Sequence, residues 1–275
     1  MSNKPTVIDA TNRTIMTDQD SYYWRLRFLQ DWVFKLGLQD LEPFIAFRPN
    51  SNTADGLHEG TCMMDPKKNK YMLIFNREAT DYTLMHEVGH MNLNKITGKL
   101  KYSRQLANTI EELQNLELES SPFKLLCNAV EDAFVDYHLA KYKEGYQVMI
   151  KKHIKYGKAY FEPKTLIKMK FEHHLGQYII FYLIYNFILK TKDISNFWKK
   201  RNLDFFLNNA RNAIRKENKK INIEKLNKTL DKFNTIKDTT NYQDIISFNY
   251  QVLNSIGVYS KKEVSDYLKK YFIKF

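Results

Sequence analysis

Five consecutive residues, His86-Glu87-Val88-Gly89-His90, carry two imidazoles and a carboxylate at a spacing suited to metal chemistry. On an α-helix, residues i and i+4 lie about 40° apart around the axis and one turn along it. Both imidazoles can then reach one ion. Glu87 stands beside them, where its carboxylate can take a proton from a water on that ion. With 7 His and 15 Glu in 275 residues, such a pattern arises by chance only about 0.01 times per chain. The signal is specific enough to organise the rest of the sequence around it.

The flanking residues supply elements that could position the motif. Thr80 can cap a helix over residues 81–94, and the apolar run 71–75 reads as a strand leading into it. Residues 60–64 and 71–75, separated by the polar loop 65–70, read as a hairpin. Upstream, residues 21–38 have helical spacing and 43–47 suit a short strand. Downstream, Ser121-Pro122 is a helix start, opening a helix expected over 122–142. Beyond Gly145 the pattern is almost wholly helical, with helices expected over 164–172, 175–189, 197–215, 223–233, 243–253 and 261–272. The expected class is α+β: a small sheet with the motif helix, then an α-helical C-terminal half. Residues 1–20 read as a polar tail, 21–145 as the core, and 146–275 as a subdomain completing a cleft.

Two histidines do not make a catalytic zinc site, and a third protein ligand is needed. A metzincin would place a histidine six residues after His90, where this chain has Ile96. Downstream, Asn128-Ala129-Val130-Glu131-Asp132 resembles the gluzincin metallopeptidases, in which a second helix supplies a glutamate ligand. The resemblance covers about residues 70–140. It implies a zincin-like fold, one zinc per chain held by His86, His90 and Glu131, and Glu87 as general base. The gap of 41 residues between His90 and Glu131 implies an insertion that includes the acidic stretch 111–119. In the thermolysin-like pattern an Asp follows the ligand glutamate by four positions. Here that position is Val135, and the nearby acids are Asp132 and Asp136. Two arrangements follow: Glu131 on zinc with Asp132 or Asp136 holding a ligand histidine by its free N–H, or Asp132 on zinc. Glu131 is the expected ligand, because its longer arm reaches further and the family pattern agrees. Cys62, in Glu59-Gly60-Thr61-Cys62, faintly resembles the EGC motif of peptide deformylases and offers a competing third ligand.

The resemblance makes a zinc metallopeptidase, acting as an endopeptidase on a peptide or protein substrate, the expected function. Residues 71–76 are expected to rim the cleft, where an extended substrate can add as a strand, and His138, His153, His173 and His174 are candidates to stabilise the oxyanion. The net charge of +12 divides into −4 over residues 1–140 and +16 over 141–275. That split could serve nucleic acid, but no RNP-like, zinc-finger or Walker-type motif accompanies it. A regulatory or nucleic-acid-binding protein on a zincin scaffold is therefore the alternative, beside a deformylase-like amide hydrolase. The 15-residue apolar run 175–189 includes Gln177 and Asn186 and is too short to span a bilayer. Two cysteines fit a reducing compartment, and the N-terminus shows no export signal, so a cytoplasmic location is expected.

Overall fold

A computed structural model describes residues 19–48, 60–65, 70–76, 79–99, 122–160, 171–190, 204, 208, 212 and 221–272. Helix α1 (Gln19–Lys35) buries Leu29, Trp32 and Val33, one face at i, i+3, i+4 spacing. It stops before the expected residue 38, because Gly37 turns left-handed at φ +65° and a 3-10 turn (Gln39–Leu41) follows.

Three strands make one mixed sheet: β1 (Phe44–Arg48), β2 (Gly60–Asp65) and β3 (Lys70–Asn76), in the order β1-β3-β2. The hairpin expected from the sequence is present, with Cys62 opposite Leu73 in the antiparallel pair. On its other side β3 pairs in parallel with β1, Ile45 opposite Leu73. This corrects the expected role of residues 71–76. A strand bonded on both sides has no free backbone edge to offer a substrate. Among the described residues the free edges are those of β1 and β2, and the β2 edge is the one that starts against Glu87.

Helix α2 (Asp81–Thr97) carries the motif. The Thr80 side chain accepts the Thr83 N–H at 3.3 Å, and Gly98 closes the helix at φ +70° with its N–H on the Asn94 carbonyl. The helix runs three residues past the expected end because Gly98, not Asn94, is the first position to turn left-handed. Helix α3 (Pro122–Leu139) packs across it, and the two bury Leu84, Met85, Val88, Val130, Phe134 and Val135 between and around them. Gly89 sets their separation. A Cβ at that position would stand 2.6 Å from Val135 Cγ1 and 2.8 Å from Leu139 Cδ1.

The C-terminal half is helical in its described parts, as expected. It comprises α4 (Lys143–Tyr160), α5 (Phe171–Leu183) running into a π turn (Ile184–Ile188), α6 (Ile223–Leu230), α7 (Phe233–Ile236), α8 (Tyr242–Ile256) and α9 (Lys261–Phe272). Helix α4 was not expected from the sequence, since lysines interrupt its apolar spacing. Of the helix expected over 164–172 only residues 171 and 172 are described, and they open α5; of 197–215 only 204, 208 and 212 are described. Buried side chains from α1 through α9 form one continuous cluster, so the core runs uninterrupted past residue 145. No helix among the described residues is long and apolar enough to cross a membrane.

Gly89→Ala should destabilise the protein by roughly 1–3 kcal/mol, the usual cost of overpacking a filled interface. A urea-unfolding midpoint equal to wild type would show that α2 and α3 can part without cost.

Candidate metal centre

The stripe on α2 that faces α3 is Tyr82, His86 and His90, successive i, i+4 positions. Opposite stand Asp132 and Asp136, one turn apart on α3. The two stripes interleave. His90 Nε2 lies 3.3 Å from Asp132 Oδ1, and His86 Nε2 lies 3.4 Å from the same oxygen. On its other nitrogen, His86 Nδ1 is 3.0 Å from Asp136 Oδ1. The Tyr82 hydroxyl donates to both oxygens of Asp136, at 2.9 and 2.8 Å. Asp136 is fully buried, whereas Asp132 and His90 are only partly so.

These distances suit two readings of the cluster, a long shared hydrogen bond or the edge of a coordination tetrahedron. A charge-assisted N–H···O hydrogen bond is usually ~2.7–2.9 Å, and both contacts to Asp132 are longer. Ligand atoms ~2.0–2.1 Å from zinc at tetrahedral angles stand ~3.3–3.4 Å apart. The separations of 3.3 and 3.4 Å match that edge, and one ligand atom from each of His86, His90 and Asp132 lies within 4.8 Å of the others. The donor set fits a borderline cation such as zinc: two imidazoles, one carboxylate, and a buried aspartate behind the first imidazole.

The local field agrees. Burial opposes charge on His86, yet its hydrogen bonds to Asp132 and Asp136 outweigh that cost and lift its pKa to about 10. Burial also opposes ionisation of Asp132, but the His86 and His90 contacts hold its carboxyl well below the ordinary range. The carboxylates that stabilise a proton here would also attract a metal ion, which must displace that proton to reach the imidazole.

The structure does not bring Glu131 to the histidines, and the expected ligand set changes accordingly. Glu131 lies about 100° around the helix from Asp132. Its buried carboxylate accepts Lys99 Nζ at 2.7 Å and the Tyr242 hydroxyl at 2.5 Å. Burial, then the Glu131 charge, raises the Tyr242 pKa well above its usual value, so the phenol stays a donor. Asp136, four positions after Asp132 on α3, stands 3.0 Å from His86 Nδ1, on the side of the ring away from Asp132.

Glu87 points toward the sheet. A Cβ on Gly60, the first residue of β2, would come within 3.0 Å of Glu87 Cγ and 2.9 Å of Thr83 Cγ2. Bare backbone at the start of β2 therefore covers the Glu87 methylenes. Cys62, half-buried on β2, stands outside the cluster, as does buried Cys127. His138, His173 and His174 do not join it either, while His58 and the side chain of His153 lie outside the described residues. Asn128 is exposed.

Comparison with protein-family models, curated proteins and solved structures finds no match to this chain. The site is therefore argued from its own geometry. Sequence reasoning missed Tyr82 and the Lys99–Glu131–Tyr242 group. A signal for Tyr82 was available, since it sits one turn before His86 on the same stripe. The other group has none, because Tyr242 is 111 residues from Glu131 in sequence.

Purified protein should hold one zinc per chain and lose it on Asp132→Ala, as on His86→Ala or His90→Ala. Glu131→Gln should keep the metal but lose roughly 3–5 kcal/mol of stability, because Lys99 is left without its buried partner. Metal analysis together with denaturant titration checks both. Zinc lost with Glu131→Gln and kept with Asp132→Ala would return the ligand to Glu131.

A second prediction concerns His138. Burial, then the Lys141 ammonium, pushes its pKa down to about 4, against the pull of Asp238. The folded value lies below the ordinary ~6.5, so the unfolded chain takes up this proton first. The contribution of His138 is whole above about pH 6.5 and is lost as pH falls towards 4. Between pH 7.5 and 5, wild type should lose more stability than His138→Gln in parallel urea titrations.

Proposed function

We propose that this chain is a zinc-dependent metallopeptidase of the gluzincin type, with aspartate in the place of the usual glutamate ligand. The observation that carries the reading is the convergence of His86 Nε2, His90 Nε2 and Asp132 Oδ1, with Glu87 next in sequence to the first of them. His86, His90 and Asp132 would hold the ion. Bound there, zinc acts as a Lewis acid that activates a water and polarises an amide carbonyl.

The chain's own residues supply the proton chemistry. Glu87 follows His86 on α2 and is not itself one of the three donors, which leaves its carboxylate free for proton transfer. It accepts the proton of the attacking water and returns it to the amide nitrogen as the C–N bond breaks. The Gly60 backbone, packed on the Glu87 side chain, restricts its rotamers and shields one flank from water. The outer edge of β2 begins at that same glycine. An extended peptide adding there as a further strand brings a backbone carbonyl alongside Glu87. The carbonyls of a regularly bonded edge are presented in register, which favours main-chain amides over isolated small amides.

Glu87→Gln should keep zinc and fold but lower turnover by roughly 10²–10⁴, since an amide cannot accept the proton at neutral pH. The assay compares zinc-loaded wild type and variant on an unfolded protein and a peptide library, with a chelator control. Equal cleavage by the two proteins would remove Glu87 as the base. Absence of cleavage by zinc-loaded wild type on both substrate sets would count against the peptidase reading itself.

A further inference from the structure

Tyr82 has no part in the chemistry above, yet it makes more polar contacts at the centre than its type requires. Its hydroxyl reaches both oxygens of Asp136 and stands 3.1 Å from His86 Nδ1. Its ring stacks on the His86 imidazole, with centroids 5.2 Å apart and planes at 26°. Lys152 Nζ lies 3.2 Å from the centre of the Tyr82 ring, a cation on its π face.

A phenol has one proton to give, and a carboxylate can only accept. The Tyr82 proton is therefore committed to Asp136. His86 Nδ1 then faces two oxygens, Asp136 Oδ1 and the phenol oxygen, and neither has a proton left for it. Nδ1 must be the donor. In the neutral ring this leaves the lone pair on Nε2, the nitrogen that faces Asp132. Removing the hydroxyl would leave a fully buried carboxylate with His86 as its remaining hydrogen-bond donor among the described residues. Such a group turns to seek another partner and no longer fixes the ring.

We propose that Tyr82 is a positioning residue of the metal centre, its hydroxyl clamping Asp136 so that His86 is held with Nε2 toward the ion. The inference rests on the metal-centre reading of His86, His90 and Asp132. Tyr82 acts through Asp136 and touches neither ion nor substrate.

The test measures zinc affinity of the full chain by competition with a chromophoric chelator, and the melting temperature with and without zinc. Tyr82→Phe should weaken zinc binding roughly 10–100-fold, the usual effect of losing an outer partner of a ligand histidine. Asp136→Asn should weaken it similarly. In the Asp136→Asn background, adding Tyr82→Phe should change the affinity little, because the clamp then has nothing to hold. A purely structural tyrosine would lower the melting temperature equally with and without zinc and leave the affinity alone, which overturns the proposal. Additive losses in the double variant overturn it too, since Tyr82 would then act independently of Asp136. Should Tyr82→Phe fail to fold, Tyr82→Leu, which stays apolar and offers no donor to Asp136, replaces it in the same cycle. Failure of wild type to bind zinc sinks the metal-centre reading and this inference together, whereas intact binding by both wild type and Tyr82→Phe sinks only the inference.

Discussion

The bare Cα of Gly89 is the constraint on which the site depends. Two helices whose side chains interdigitate normally keep their axes 8–10 Å apart. An aspartate has a short arm, and it reaches across to imidazoles on a neighbouring helix only where the backbones come close. Gly89 lies between His86 and His90 in sequence, and Val135 and Leu139 occupy the space its side chain would take. The closeness also accounts for the side chain that meets the histidines. At this separation Asp132 arrives at 3.3–3.4 Å from both imidazoles, without the extra methylene of a glutamate.

Given that closeness, the polar groups arrange themselves by repeat. Tyr82, His86 and His90 recur every four residues, and so do Asp132 and Asp136, so each member of one stripe meets one or two of the other. A fully buried carboxylate such as Asp136 is tolerable because its oxygens are occupied. The rotation of α3 is fixed elsewhere, by Glu131 in its buried contact with Lys99 and Tyr242. One residue faces the histidines and its neighbour faces α8. Turning the helix by a single position would bring Glu131 round to the histidines and set Val130 in its place, breaking its contacts to Lys99 and Tyr242.

This division explains how far the sequence could be read. The motif, its Thr80 cap, the β2–β3 hairpin and the start of α3 at Pro122 are local, and they were legible from spacing alone. The choice between Glu131 and Asp132 was not local. Adjacent residues on a helix differ only in which way they face, and that is set by Lys99 and Tyr242, 32 and 111 residues away. Arm length argued for glutamate, but the Gly89 approach, visible only once α3 is docked, removes that advantage. Likewise, nothing in the residues of β3 announces that β1 will pair with it in parallel. Helix α4 escaped notice because its buried Met149 sits among lysines, and only packing reveals its apolar side.

The strand order has a consequence for how the protein assembles and comes apart. The β2 and β3 strands are joined by a four-residue connection and can zip together in microseconds. Strand β1 has no such shortcut: Phe44 meets Met72 across an intervening stretch that includes β2, and loop closure over that distance must precede the pairing. Loop closure thus favours the hairpin forming first and being joined later by β1. Strand β1 is also the one on the far side of β3 from Gly60 and Glu87. Loss of β1 would therefore leave in place the hairpin whose first residue covers Glu87.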